Sequence, residues 1–196
     1  MTAGMRDPRF HMLHLAPGAP EAAGTARRIW RILERDGLTR ATFYDGAVTS
    51  AEGFCRELLE RGALSFALFW EGRLCGAAWC NTFEGRAARG HFVLFRAVWG
   101  RERTVPIGRG IFAGLLGLRD AGGFFFDVIL GLTPERSLSW RLALRCGARL
   151  VGMIPNGVWL EAEGRSATAA LVAATRESLE EAAEEEGGRE CASTVG

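Results

Sequence analysis

Two Glu-Gly pairs, Glu71-Gly72 and Glu84-Gly85, cut the middle of the chain into three apolar runs: Leu64 to Trp70, Leu74 to Phe83 and His91 to Trp99. Glycine after a polar residue supplies the positive φ of a tight hairpin, so this spacing predicts an antiparallel three-strand meander. The pairing then changes. Gly108 to Leu118 has a helical pattern, and Phe124-Phe125-Phe126-Asp127-Val128-Ile129-Leu130 is an apolar run suited to a strand buried on both faces. A helix between two strands is a crossover, which predicts parallel pairing between the His91 strand and the Phe124 strand.

Thr133-Pro134-Glu135 has the composition of a helix entry, since Thr caps, Pro tolerates the first helical position and Glu favours the positive end of the dipole. That helix is expected to run to about Cys146, with Gly147 closing it. Leu150 to Ile154 and Val158 to Glu161 then flank Pro155-Asn156-Gly157 as a final hairpin. Upstream, His11 to Leu15 is a short first strand, and Thr25 caps a helix whose buried face is Ile29, Trp30 and Leu33 and whose stop is Gly37. A capping-box spacing at Thr49 to Glu52 opens a second helix, buried through Phe54, Cys55, Leu58 and Leu59 and ended by Gly62. Ser166 to Glu186, rich in Ala and Glu, is expected to be an appended helix, a packing or homodimer element outside the core. On that expectation, deleting Ser166 onward leaves a folded protein. Residues 1–10 and 187–196 are expected to be loose ends.

The formal net charge is +1 and all 24 basic residues are arginine, so the chain lacks the excess positive charge of a phosphate-tracking protein, and nucleic acid is not an expected partner. Cys55, Cys75, Cys80, Cys146 and Cys191 form no C-x-x-C pair and have no histidine at a zinc-ligand spacing, which points to free thiols, a reducing compartment and no metal. The start carries Arg6, Asp7 and Arg9 without an apolar segment, and no later stretch approaches the roughly 20 apolar residues of a membrane span. A soluble, cytoplasmic protein with no membrane partner is expected.

The order of elements resembles the GNAT acyltransferase fold over residues 11–162. The segment Leu132 to Gly152 is similar to the family stretch that ends its fifth strand and turns into its fourth helix, with Ser139 and Gly147 at matching positions. Arg136 stands where the family has Asn, and Ala148 where it has Phe. Ile107-Gly108-Arg109-Gly110-Ile111-Phe112 is similar to the family's glycine-rich loop, with Gly108 and Gly110 matching, Ile107 in place of Arg or Gln, and Phe112 in place of a small residue. His91-Phe92 together with the later Gly-Leu-Thr-Pro and Ile-Pro-Asn also resembles GNAT-like proteins of tailed phages and prophages.

The resemblance implies an α/β (α+β) fold with a mixed, mostly antiparallel sheet, one splayed parallel pair and helices on both faces. It implies acetyl-CoA as co-substrate and a small-molecule or protein amine as acceptor. Gly108, Arg109, Gly110 and Ile111, with Arg103, are the implied pyrophosphate contacts, because backbone N–H groups at a helix N-terminus carry about half a positive charge. Ala97, Val98 and Trp99 are the implied strand backbone along the pantetheine arm, with Ser139 beside it. The family's tyrosine acid is replaced by Ala143, which leaves Cys146 and Ser139 on that helix as proton donors; the one tyrosine, Tyr44, lies far upstream. As bases, His91 has a pKa suited to neutrality and Asp127 sits in an apolar strand where burial would raise it. Phe112 is expected to turn toward the core. A transferase and a GNAT-shaped binding or assembly module without catalysis both remain open.

Overall fold

The computed structural model describes residues 7–60 and 62–193. Its frame is a seven-stranded sheet. β1 (Phe10–His14), β2 (Leu64–Trp70), β3 (Arg73–Glu84) and β4 (Ala87–Leu94) are successive antiparallel neighbours. The β2–β3 turn holds Glu71 and Gly72 at φ 50° and 73°, the left-handed pair that the Glu-Gly signal requires. β7 (Val128–Pro134) pairs parallel with β4, and β9 (Arg165–Ala174) and β8 (Arg149–Leu160) complete the sheet in the order β1-β2-β3-β4-β7-β9-β8. A two-residue hairpin of β5 (Arg119–Asp120) and β6 (Gly123–Phe124) stands apart.

Period-two alternation distributes the strands' side chains between two cores. Ala77 and Trp79 face α1 (Pro20–Arg35) and α3 (Ala51–Leu59), where Ile29, Trp30, Leu33, Phe54 and Leu58 are buried. Ala78 and Cys80 face α4 (Arg101–Leu116) and α5 (Ser139–Arg145), along with Leu179 of α6 (Arg176–Ser193). The short α2 (Thr39–Thr42) follows α1. Ser50 caps α3 by accepting from the Gly53 N–H at 3.1 Å, so the cap falls one residue after the Thr49 that the capping-box spacing to Glu52 predicts, and the N3 position is Gly53. Among the described residues, no helix is long and apolar enough to cross a membrane.

Several sequence expectations are corrected. α1 begins at Pro20, not Ala26, because proline suits a first helical turn. The His91–Trp99 run is a strand only to Leu94; Arg96–Val98 forms a 3-10 turn. α4 begins seven residues before the expected Gly108 and passes through Pro106. Thr133 and Pro134 finish β7 instead of opening a helix, and α5 is shorter, starting at Ser139. The Pro155-Asn156-Gly157 segment is an irregularity inside the single long strand β8.

The largest correction concerns Arg165 to Ala174, which is a strand and not the start of an appended helix. β9 lies between β7 and β8, with Ala169, Ala170 and Ala174 fully buried. Alanine's helical propensity yields here because a run of small side chains fits a strand covered on both faces. The sheet therefore extends past residue 162, and the helix occupies Arg176–Ser193, which includes part of the expected loose tail. Residues 1–6 and 194–196 of the expected loose ends lie outside the described residues.

Removing residues 165–196 takes away the strand that pairs β7 on one edge and β8 on the other. The truncated protein is expected to lose its cooperative denaturant transition, measured by circular dichroism; an intact two-state melt would show that β9 is dispensable.

Candidate functional site

β4 and β7 are paired over three positions only, Ala87 to Arg89 against Val128 to Leu130. Beyond them β4 keeps its bonds to β3 as far as Leu94, while β7 keeps its own to β9 as far as Pro134, so the two strands are drawn apart. Backbone parity shows what faces the resulting gap. The Phe95 N–H donates to Cys75 O on the β3 side, whereas Leu94 O accepts the Trp99 Nε1–H on the other. Alternation then turns the amide N–H groups of Phe92 and Leu94 toward the gap. A cavity of about 830 Å³ passes through it and is lined from both faces of the sheet.

On the α4–α5 face the cavity is floored by Ile111, Phe112, Leu115 and Ala143 and reaches Trp99, Gly100, Thr104 and Ser139. Gly100, at φ 130°, is the turn into α4, and its carbonyl accepts from the Arg103 and Thr104 N–H groups. The amides of Arg101 and Glu102 have no place in the helical ladder, so they form the open positive end of α4. Arg103 donates to Ala97 O at 3.2 Å and to Trp99 O at 3.4 Å, which fastens the 3-10 turn to the helix start. Ser137 Oγ donates to Ser139 Oγ at 2.9 Å at the entry to α5. Thr133 shares a face of β7 with Ile129, and its Oγ1 is buried without a partner at the cavity wall.

The α1–α3 face is lined by polar groups. His91 on β4 lies opposite Trp79 on β3, and their rings stack at 5.1 Å with an 8° interplanar angle. The His91 Nε2 lies 3.1 Å from Asn81 Oδ1, and Asn81 Nδ2 donates to Glu57 Oε1 at 3.0 Å. Because Asn81 offers its oxygen to the ring, Nε2 carries the proton and Nδ1 keeps the lone pair. Burial, seconded by the Arg89 charge, pushes the His91 pKa down to about 4, so the ring is neutral at pH 7. Tyr44, from the segment after α2, reaches across to donate to Leu132 O at 3.0 Å, and burial raises its pKa. Arg89 and Asp45 complete this wall.

The structure thus regroups the sequence candidates. His91, Ser139, Ile111 and Trp99 line the cavity. Gly108 and Gly110 lie in the interior of α4, where an added Cβ would strike Cys146 Sγ and the Phe10 ring. They are close-packing glycines, and the helix start that the resemblance assigned to them sits at Gly100 to Arg103. Arg109 turns away, donating to Arg145 O at 3.3 Å. Ala97 and Val98 belong to the 3-10 turn and present no strand edge. Cys146 is fully buried against Gly108, its thiol pushed up to about 12 by burial, and it does not line the cavity. Asp127 precedes β7, more than half exposed, and pairs with Arg176 at 2.6 Å, so it is not the expected buried strand carboxylate. Phe112 faces inward as expected, packed edge-on to Phe92 at 6.0 Å.

Sequence reasoning missed Tyr44, Asn81, Trp79 and Arg89. The signal was present: Asn81 pairs with Arg89 and Trp79 with His91, so four polar-headed side chains share one face of otherwise apolar strands. Among the described residues no group of three His, Cys, Asp or Glu side chains could hold a metal.

No protein-family model matches the chain, and no curated protein matches it. Solved structures do match. The Salmonella typhimurium acetyltransferase that modifies the N-terminal serine of ribosomal protein L7/L12 is similar at a TM-score of 0.67 and 13% identity, over 86% of this chain and 96% of that one. The microcin C7 self-immunity acetyltransferase MccE, in complex with acetyl-CoA and AMP, matches at 0.64 and 13% over 86% and 93%. The ribosomal-protein-S5-alanine acetyltransferase of Vibrio fischeri matches at 0.62 and 12% over 87% and 94%. At this identity the likeness establishes the fold, and the chain has the GNAT fold.

Two outcomes test the site's packing. His91 binds its proton less readily when folded, so between pH 6.5 and about 4 the unfolded chain holds the extra proton and stability falls as pH falls. A shift of this size corresponds to roughly 3 kcal/mol at most. In His91→Gln the melting temperature is expected to vary less with pH across that window, and an unchanged pH profile would contradict the burial. Phe112→Ala is expected to cost roughly 3–5 kcal/mol in denaturant unfolding, as a buried aromatic does.

Proposed function

We propose that this protein is an N-acetyltransferase that moves the acetyl group of acetyl-CoA to an amine. The observation that carries the proposal is the cavity through the β4–β7 gap, which joins the open end of α4 to a buried polar wall. The residues present fit the co-substrate. The Thr133 hydroxyl is orphaned on the α4–α5 side, and Phe92 and Leu94 turn amides into the gap with no neighbouring strand to take them. Arg101 and Arg103, with the first amides of α4, would receive the pyrophosphate; Glu102 in the same turn partly offsets their charge. The structural neighbours include RimL crystallised with coenzyme A and MccE with acetyl-CoA.

Acetyl-CoA supplies a thioester, an activated acyl group with a thiolate leaving group. The chain's own groups then have distinct tasks. The Phe92 and Leu94 amides donate hydrogen bonds where negative charge develops on the acyl oxygen. Neutral His91 offers Nδ1 as an acceptor to an N–H of the amine. Its low pKa means that it orients the nucleophile and does not retain the proton, which leaves through water at the rim beside exposed Asp45. Ser139, hydrogen-bonded to Ser137 at the cavity wall, donates to the departing sulfur in the role that Ala143 cannot fill.

Ala143 also favours the second reading, a GNAT module that binds without turnover, since the cavity wall is apolar where the family resemblance places a tyrosine. Calorimetry and thiol release separate the two. Acetyl-CoA is expected to bind at one site, and the double change Arg101→Ala, Arg103→Ala to weaken it roughly tenfold, about 1.4 kcal/mol. Ser139→Ala is expected to lower thiol release with the binding constant unchanged. Binding without thiol release from any amine would support the module, and no binding would sink both the co-substrate and the transferase.

A further inference from the structure

Two donors on the polar wall of the α1–α3 face have no acceptor. Arg89 projects from β4 beside His91, its guanidinium close to the Tyr44 side chain but its Nε buried and unpartnered, and among the described residues no carboxylate forms an ion pair with it. The Trp79 Nε1–H, on a side chain only 2% exposed, is buried without a partner at the same wall. These residues are diagonal neighbours on paired strands, since Trp79 faces His91 and Asn81 faces Arg89. Both orphaned atoms are obligate donors. A buried donor without an acceptor is costly, more so on a charged group, so a wall that keeps two on diagonal neighbours is shaped for an acceptor-rich occupant.

We propose that the acceptor amine carries a carboxylate, which Arg89 receives through its guanidinium with Trp79 Nε1–H as a second donor. The proposal rests on the transferase reading only for the amine; the carboxylate site stands on the orphaned donors. Arginine suits this task because its planar fork matches the two carboxylate oxygens. The other end of the substrate is placed by His91, two residues along the same face of β4, at about 6–7 Å of strand rise. Asp45 stands near enough to His91 and Tyr44 to act on both electrostatically, which gives an incoming ammonium a negative neighbour at the rim. The wall therefore presents a cation-receiving and an anion-receiving end, and the substrate class is an amino acid, from α- to ω-amino.

The test compares amino acids from glycine to γ-aminobutyrate, and the common α-amino acids, with their primary carboxamides, on the full chain without acetyl-CoA. Readouts are the melting temperature and the indole N–H resonance of Trp79, assigned by Trp79→Phe. At least one acid is expected to raise the melting temperature and shift that resonance, with its amide at least tenfold weaker. Arg89→Gln is expected to abolish the difference and Arg89→Lys to retain part of it. If the Gln variant fails to fold, the acid-against-amide comparison on the unaltered protein decides alone. No response to any acid, an equal response to amides, or a preference that survives in Arg89→Gln would overturn the carboxylate site. Thiol release that persists without acid preference would sink this inference and leave the transferase; acid binding without any acetyl-CoA binding would do the reverse.

Discussion

The short ladder between β4 and β7 is the constraint on which the rest of the molecule depends. Three paired positions hold the two halves of the sheet together, and each strand then stays with its other neighbour. Backbone amides left facing a gap inside a protein are costly, because a buried N–H without an acceptor forfeits its hydrogen bond to water. The fold holds them in place because each strand keeps its ladder to its other neighbour, β4 to β3 and β7 to β9, and two separate cores clamp the sheet from either face. The same gap that weakens the sheet connects its faces, so the cavity is a consequence of how the strands are paired and not of a missing side chain.

The packing of α4 determines where the gap leads. Gly108 and Gly110 let the helix approach Cys146 and Phe10 at distances that no side chain would allow. That close approach aims the start of the helix, Gly100 to Arg103, at the cavity mouth. Glycines that resemble a phosphate loop in sequence thus act one step removed from it, by setting the position of the turn that carries the free amides. Phe112 fits the same picture: it closes the floor against Phe92 at 6.0 Å and stands well down the helix from the first turn.

The opposite face is governed by burial of polar groups. His91 is neutral at pH 7 because it is largely buried and Arg89 lies close, and its ring is held by Trp79 on one side and Asn81 at Nε2. Tyr44 ties the segment after α2 to β7 by its bond to Leu132 O, so the wall is closed by a long-range contact. Satisfied groups such as Tyr44 and Asn81 fix the shape, and the Nε–H of Arg89 and Nε1–H of Trp79 are left without acceptors.

Local signals were legible in the sequence. The Glu-Gly turn at Glu71-Gly72, the meander, the second helix and the parallel crossover all follow from period and turn chemistry over a few residues, and the structure bears them out. Asp127 was misjudged because an apolar run does not reveal that its polar member lies just outside the strand beside Arg176. Arg165 to Ala174 was misjudged because alanine's helical propensity is local, whereas the strand there is imposed by two neighbours. The sequence by itself determined the sheet's antiparallel half, the crossover and His91 as a polar group on a buried strand. Tertiary structure alone decided that Tyr44, Asn81 and Arg89 line one cavity wall with His91, that α4 starts at Arg101, and that Cys146 is buried away from the cavity. These depend on contacts between residues 10 to 88 positions apart in the chain, whose closure rests on the packing of the whole core.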